Sequence, residues 1–386
     1  MWELWGGLPH RWSKSEQARM TPIPLLDLAA QYSEIKIEID AAIQRVLISG
    51  HFILGREVTA LEEGVAAYLG VGHSIGVASG TDALILALRA LDIGPDDEVL
   101  IPAYTFFATA GAVLHVGARP VLVDVDPRTY CIAVEQISEK ITPATKAIIP
   151  VHLYGHPADM DAITAIAREH GLMTIEDNAQ ALGAKYRGRK TGAFGDVACL
   201  SFFPSKNLGG YGDGGMVVTD DSALADRVRM LRAHGWKKKY FPEILGYNSR
   251  LDALQAAILR VKLPYLDRWN ERRREIASAY NRGLSAISAI SAPWVASGAS
   301  HVYHLYIIRT ARRDELQQAL KQAGIASGIY YPQPLHLTQP CKALGYTEGD
   351  FPDSEKASRE TLAIPIYPEM TEEQIHFVLA TLEKIA

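Results

Sequence analysis

The chain has 386 residues, enough for two to three domains at roughly 100–200 residues each. Hydrophobic residues make up 48% and charged residues 22%, with 31 Gly and 20 Pro, which excludes wholesale disorder and collagen-like or low-complexity structure. The net charge of −5 gives no global electrostatic reason to bind nucleic acid.

Residues 1–20 (MWELWGGLPHRWSKSEQARM) lack the apolar segment of a secretory signal and read as an N-terminal extension. No stretch reaches the roughly 20 apolar residues that a membrane helix needs, so no membrane partner is expected. From about 75 to 220, short β-rich runs alternate with helical ones. The expected strands are IGVAS (75–79), EVLIPAY (98–104), PVLVDVD (120–126), KAIIPVHLYG (146–155), LMTIED (172–177), VACLSFF (197–203) and GMVVTD (215–220). Helical patterns such as TDALILALRAL (81–91) and MDAITAIAREH (160–170) lie between them. This alternation predicts an α/β fold, a mainly parallel sheet covered by helices on both faces. Near-continuous apolar runs such as AIIPV agree with it. Beyond 250 the pattern changes. A long helical stretch over 251–281 is broken near Pro264. HVYHLYIIR (301–309) reads as a strand, with His301 and His304 at strand positions, and helices are expected near 311–324 and 371–385. We therefore expect a large domain over 21–260 and a smaller α+β domain over 261–386. Cys131, Cys199 and Cys341 are scattered and form neither a metal spacing nor a disulfide framework, which points to a reducing, cytoplasmic setting.

Several short patterns match well-known motifs without their context. Gly72 to Gly76 spells GxSxG, but a nucleophile elbow follows a strand and opens a helix, and here a strand follows. Gly210, Gly212 and Gly215 fit GxGxxG, yet they open the run MVVTD rather than a helix; they are the sole hint of a nicotinamide-dependent oxidoreductase. GRKT (188–191) has its glycine out of register for a phosphate loop. His152 and His156 are four apart, but Gly155 and Pro157 oppose a helical metal pair, and no metal site is expected.

Four pieces converge instead on one chemistry. LMTIED ends in Asp177, with Gln180 three residues on, and an acid at the carboxyl end of a parallel strand lies where α/β ligands bind. A buried carboxylate needs a cationic partner, which a protonated pyridine nitrogen supplies. In SFFPSKN, Ser201 lies in a strand and Lys206 just beyond it, where an apolar surround eases loss of the ammonium proton and lets the amine attack an aldehyde. ASGTDAL places Gly80 and Thr81 at a strand-to-helix turn suited to a phosphate. PAYTFFATA offers Phe106 as a platform for a flat ring. Each piece alone has a commoner meaning: a helix-capping Asp, a surface Lys, an ordinary turn, a core aromatic. The set of amine, pyridinium partner, phosphate cradle and stacking face describes pyridoxal 5′-phosphate.

The stretches GTDAL, TFFAT, EDNAQALGA, SFFPSKNLGGYGDGG and GYNSRLDALQAAIL resemble the DegT/DnrJ/EryC1/StrS sugar aminotransferases, in the same order over residues 20–386. The resemblance implies the aspartate-aminotransferase fold (fold type I) and a homodimer with shared active sites. It implies that Lys206 binds the cofactor aldehyde and shuttles protons, that Asp177 pairs with the pyridine nitrogen, and that Gln180 meets the ring's oxygen side. Phe106 takes the stacking position; Gly80, Thr81 and Ser201 bind the phosphate, and Asn248 reaches it from the neighbouring subunit. One branch of the family carries His in place of the lysine and dehydrates its substrate; Lys206 favours transamination. L-glutamate as donor and a dTDP- or UDP-linked 3-keto-deoxyhexose as acceptor are the implied substrates, with a 4-keto sugar, a keto-cyclitol or a noncatalytic cofactor-binding scaffold as alternatives. Lys237, Lys238 and Lys239 could face a diphosphate or form a solvated charge run, and His336 falls in a loop that approaches substrate in this family.

Overall fold

Residues 22–385 are described by a computed structural model; the N-terminal extension expected over 1–20 lies outside them. Helix α1 (Leu28–Ser49) starts at Asp27, whose carboxylate caps the Ala30 N–H at 2.9 Å, and stops at Gly50, which takes the left-handed conformation at φ 67°. Helix α2 (Arg56–Leu69) leads into the sheet. There follow β1 (His73–Val77), α3 (Gly80–Ala90), β2 (Glu98–Pro102), α4 (Ala108–His115), β3 (Arg119–Val123), β4 (Thr145–Ile148), α5 (Met160–His170), β5 (Met173–Asp177), β6 (Val197–Ser201), β7 (Gly215–Thr219) and α6 (Ser222–Leu231). The seven strands form one sheet in the order β1-β7-β6-β5-β4-β2-β3. All neighbours are parallel except β7, which runs antiparallel to both β1 and β6.

Side-chain alternation explains why both faces of this sheet are apolar. Ile75, Val77, Val99, Ile101, Ile175, Val197 and Val217 point to one face, where Leu84 and Leu88 of α3, Val113 of α4 and Val228 of α6 cover them. On the other face, Leu61 and Val65 of α2 pack with Ala198, Leu200, Met216 and Val218, and Ile163 of α5 packs with Leu100 and Ile148. Full burial of one such aliphatic side chain is worth about 1.5–3 kcal/mol, so the strand ends that carry the site stand on a rigid base.

The expected break at Pro264 is present. Helix α7 (Ala253–Lys262) and helix α8 (Leu266–Leu284) flank a 3₁₀ turn, Leu263–Tyr265. A second core is formed by β8 (Tyr306–Arg309) and β9 (Thr361–Ile364), which pair antiparallel, with α8, α9 (Arg313–Gln322) and α11 (Glu372–Ile385) packed around Tyr280, Tyr306, Ile308, Leu320, Leu362 and Leu382. Helix α10 (Pro352–Glu360) enters β9 directly.

Two features depart from the sequence reading. Ile23 joins the second core and bridges in parallel to Ile325, through Ile23 N–H to Gly324 O at 2.8 Å and Ala326 N–H to Ile23 O at 2.9 Å. The first described residues therefore pack on the smaller unit before the chain crosses to the larger. The strand expected over 301–309 is shorter, and neither His301 nor His304 lies in it. The N–H groups of Val302 and Leu305 go to the carbonyls of Gly155 and Tyr154, and His301 Nδ1 accepts the Tyr303 N–H at 2.8 Å. Hydrogen bonding to the sheet domain wins over the local alternation of apolar residues.

Candidate active site

The carboxyl ends of the parallel strands face a cavity of about 490 Å³, the position at which open α/β sheets bind ligands. Asp177 is the last residue of β5. Thr109 of α4 donates its hydroxyl to Asp177 Oδ2 at 2.8 Å, and the Ala179 N–H reaches Oδ1 at 3.2 Å. Burial pushes this carboxyl up; the Thr109 and Ala179 hydrogen bonds and the Lys206 charge pull the other way. Next to it, Glu176 is wholly enclosed. It accepts the N–H groups of Gly192, Phe194 and Gly195 and a hydrogen bond from His152 at 2.9 Å. Burial alone would raise the Glu176 carboxyl, but these partners outweigh it and hold it low. His152 Nδ1 accepts the Ala158 N–H at 3.0 Å, so its Nε2 carries the proton. His156 faces the Pro157 carbonyl and the Ala296 N–H. The two histidines thus hold backbone and carboxylate rather than a shared ligand.

Lys206 lies in the turn after β6, where its N–H bonds Phe203 O at 2.8 Å. Burial pushes its ammonium down to about 8, with the Asp177 charge opposing. About a tenth of it is then neutral at pH 7, against about three to four ten-thousandths for a solvated lysine. The glycine-rich loop that follows is propped from α7: Lys262 Nζ donates to Gly209 O at 2.9 Å, and Gln255 accepts the Tyr211 N–H at 2.7 Å.

At the far end of the cavity, β1 runs into α3. Ser79 caps this helix by accepting the Asp82 N–H at 3.1 Å, and Gly80 and Thr81 form its first turn beside Ser201. A Cβ on Gly80 would sit 2.7 Å from Ser201 Cβ, and one on Gly215 would sit 2.3 Å from the Ser79 carbonyl. Only glycine lets the helix start close on the strand ends. The resulting concavity of hydroxyls at the positive end of a helix suits a phosphate. Gln180 has a fixed amide: its oxygen accepts the Tyr154 N–H at 2.7 Å, so its NH₂ faces Tyr331 Oη at 3.0 Å. The Phe106 ring is 54% exposed at the mouth, 5.7 Å from that of Tyr331.

Gly80, Thr81, Phe106, Asp177, Gln180, Ser201 and Lys206 therefore line one cavity. The other expected residues do not. Asn248 is exposed, with its side-chain oxygen accepting from Arg250 at 2.7 Å. Lys237, Lys238 and Lys239 stand on an exposed hairpin, Lys238 over the Phe241 ring and Lys239 over Tyr240. His336 is enclosed against Phe351 and bonded to Glu355 at 3.1 Å, a polar pair that turns it away from the cavity. Sequence reasoning missed Thr109, Tyr331, Arg273 and His304, which come from separate segments. Thr109 stood inside TFFAT, but nothing in its spacing announced a carboxylate partner.

The donor set fits pyridoxal phosphate. An amine with its pKa pulled down to about 8, a buried carboxylate pushed up by burial, a fixed amide and a hydroxyl-lined helix start share one cavity, and they suit that molecule's aldehyde, ring nitrogen, ring oxygen and phosphate.

Residues 33–383 match the DegT/DnrJ/EryC1/StrS aminotransferase family. The chain is 52% identical to the "pleiotropic regulatory protein" of Geobacillus stearothermophilus, over 94% of this chain and 98% of that one. It is 49% identical to the UDP-N-acetyl-3-dehydro-alpha-D-glucosamine 3-aminotransferase of Acidithiobacillus ferrooxidans, over 94% and 98%. The crystal structure of S. venezuelae DesV in complex with a ketimine intermediate superposes with a TM-score of 0.93 at 47% identity, covering 95% of this chain and 98% of that one. The chain belongs to the DegT/DnrJ/EryC1/StrS family and is an aminotransferase that uses pyridoxal 5′-phosphate.

Proposed function

We propose that the protein moves an amino group from L-glutamate to the keto group of a UDP- or dTDP-linked 3-keto-deoxyhexose, in amino-sugar biosynthesis. The observation that carries this reading is the shared cavity of Lys206 and Asp177, one pushed toward neutrality and the other in need of a cation. The 3-aminotransferase name of a relative 49% identical supports the position of the keto group.

When bound, pyridoxal phosphate supplies an aldehyde that takes up an amine and a ring that accepts the electron pair released next to it. Lys206 would hold the cofactor through that aldehyde and, in each half-reaction, would move a proton between the amino-bearing carbon of the substrate and the cofactor. Asp177 keeps the ring nitrogen protonated, and Thr109 and Ala179 hold the carboxylate in place. Gln180 would offer its amide N–H to the ring oxygen. Gly80, Thr81 and Ser201 would hold the phosphate, and Phe106 would cover the ring.

The working unit in this reading is a homodimer. Ile37, Ile48 and Leu245 are 87%, 81% and 87% exposed, apolar side chains of the kind a second copy would cover, and Asn248 is exposed, as a residue serving the neighbouring site would be. The cysteines are free and buried, in keeping with a reducing cytoplasm; among the described residues no helix is long and apolar enough to cross a membrane.

The test is a panel of nucleotide keto-sugars incubated with glutamate, with product identification. Amination at C3 of one UDP or dTDP sugar is the expected result. Amination at C4, or of a cyclitol, contradicts the acceptor; no change in visible absorbance on adding glutamate contradicts an enzyme and favours a scaffold.

A further inference from the structure

Lys206 stands in a turn that closes tightly on itself. The Gly210 N–H bonds Phe202 O at 2.8 Å, and a Cβ on Gly209 would stand 2.3 Å from Pro204 O. The next side chain, Asn207, is buried and reaches α8. Its Nδ2 donates to Oδ1 of Asn270 at 2.6 Å and to the Val302 carbonyl at 3.1 Å. Asn270 is buried as well, and its own Nδ2 donates to Leu182 O at 3.1 Å. Carbonyls can only accept, so both amide orientations are fixed. Leu182 follows Asp177 and Gln180 in the same loop. One amide of α8 therefore holds both the turn that carries the amine and the loop that carries the two groups facing the cofactor ring.

Two observations say that this bracket is built for direction rather than for filling space. Gly183 takes φ 90°, and a Cβ there would lie 2.5 Å from Asn270 Nδ2, so only glycine lets the amide approach the neighbouring Leu182 carbonyl. Asn207 Oδ1 is buried with no hydrogen-bond partner among the described residues, a destabilising feature that an apolar pair of the same size would not have. What the amides provide is geometry: a buried hydrogen bond is strong at low dielectric and has a preferred direction.

We propose that Asn270 is a positioning residue for the transamination: through Asn207 and the Leu182 carbonyl it sets the distance and direction of the Lys206 amine relative to Asp177 and Gln180. Asn270 lies outside the cavity lining, so it acts only through the groups it holds. A reacting group misplaced by about 1 Å loses about a hundredfold in rate. The inference rests on the reading that Lys206 is the amine that takes the cofactor, and it assigns the placement of that amine to a residue 64 positions away, 270 − 206, on another element.

The probe is pyridoxal phosphate, added at pH 8 to cofactor-free wild type, Asn270→Ala, Asn207→Ala and the double variant, with capture followed by absorbance. Capture is expected to slow by about 10- to 100-fold in each single variant, and the double variant should be no slower than the slower single, because both remove one bracket. In loaded protein, the limiting rate of the spectral change with glutamate falls by a similar factor while the half-saturating glutamate concentration stays within twofold, a split that a general loss of structure would not give. If Asn270→Ala fails to fold, Asn207→Ala decides, since it leaves Asn270 bonded to Leu182. Rates within twofold of wild type in folded Asn207→Ala overturn the proposal, as do losses that multiply in the double variant. Borohydride labelling of loaded wild type separates the two readings: a pyridoxyl group on Lys206 with unchanged rates in the variants overturns the bracket alone, and a label elsewhere overturns the role of Lys206 with it.

Discussion

The two walls of the cavity are built by different means. The sheet wall comes from strand ends and the turns just beyond them: Asp177 closes β5, Ser201 closes β6, Lys206 follows in the next turn, and Gly80 opens α3 after β1. Each stands on strands whose side chains are buried on both faces. The opposite wall is assembled from Leu25–Leu26, Arg273, His304–Leu305 and Tyr330–Tyr331, segments far apart in the chain and belonging mostly to the smaller unit. In the proposed reaction the rigid wall holds the groups that form and break bonds. The composite wall holds shape and charge, and it can differ between relatives without disturbing the chemistry.

Substitutions on the sheet wall test this division most severely. Lys206→Ala should lower turnover by about a thousandfold or more while the melting temperature stays near wild type, because the amine serves as both nucleophile and proton carrier. Retained turnover breaks the account of this wall. Asp177→Asn keeps the size and loses the charge, and a loss of about 10²–10³-fold is expected from the weakened hold on the ring proton. An unchanged rate would move the electron-withdrawing role elsewhere. Asn248→Ala asks whether a third contributor comes from another copy. It should weaken cofactor retention, and mixing it with Lys206→Ala should restore part of the activity. No recovery after verified subunit exchange argues against a shared site.

How much of this was legible in the sequence follows the same division. The seven sheet strands, α3 and α5 overlap the runs that predict them, because a strand buried on both faces leaves a continuous apolar signature; the exception in length is the run over 146–155, whose strand ends at Ile148 and whose end turns into a 3₁₀ turn at Leu153–Gly155. Asp177, Gln180, Ser201 and Lys206 sit at strand ends or in the turns after them, so locating the strands located the residues. The composite wall leaves no such trace. Arg273 looks like one more charge in the run NERRRE of α8, and its burial against the Tyr303 and Ile366 carbonyls is a tertiary fact. His304 sits in an alternating pattern that reads as strand, but its neighbours' N–H groups go to the sheet domain instead. His336 lies off the cavity for a reason equally absent from its local sequence: Glu355, 19 residues on, bonds its ring.

Smaller effects sharpen the picture. Thr109→Val removes a hydroxyl that donates to a buried carboxylate at 2.8 Å, and about 1–3 kcal/mol of lost support corresponds to a five- to hundredfold fall in kcat with little change in substrate KM. The smallest effect is a shift in pH dependence. Only the neutral amine adds to an aldehyde, so cofactor-free protein should capture pyridoxal phosphate faster as pH rises from 6, with a midpoint near 8 and a plateau above about 9. Asp177 raises the Lys206 pKa, so the midpoint should move down in Asp177→Asn; a midpoint near 10 in the wild type contradicts the burial argument.

The most direct test of the central claim is chemical. Pyridoxal phosphate-loaded protein is reduced with borohydride, digested, and the modified peptide mapped by mass spectrometry. The account predicts a pyridoxyl group on Lys206 and on no other lysine; a label elsewhere, or none, contradicts it.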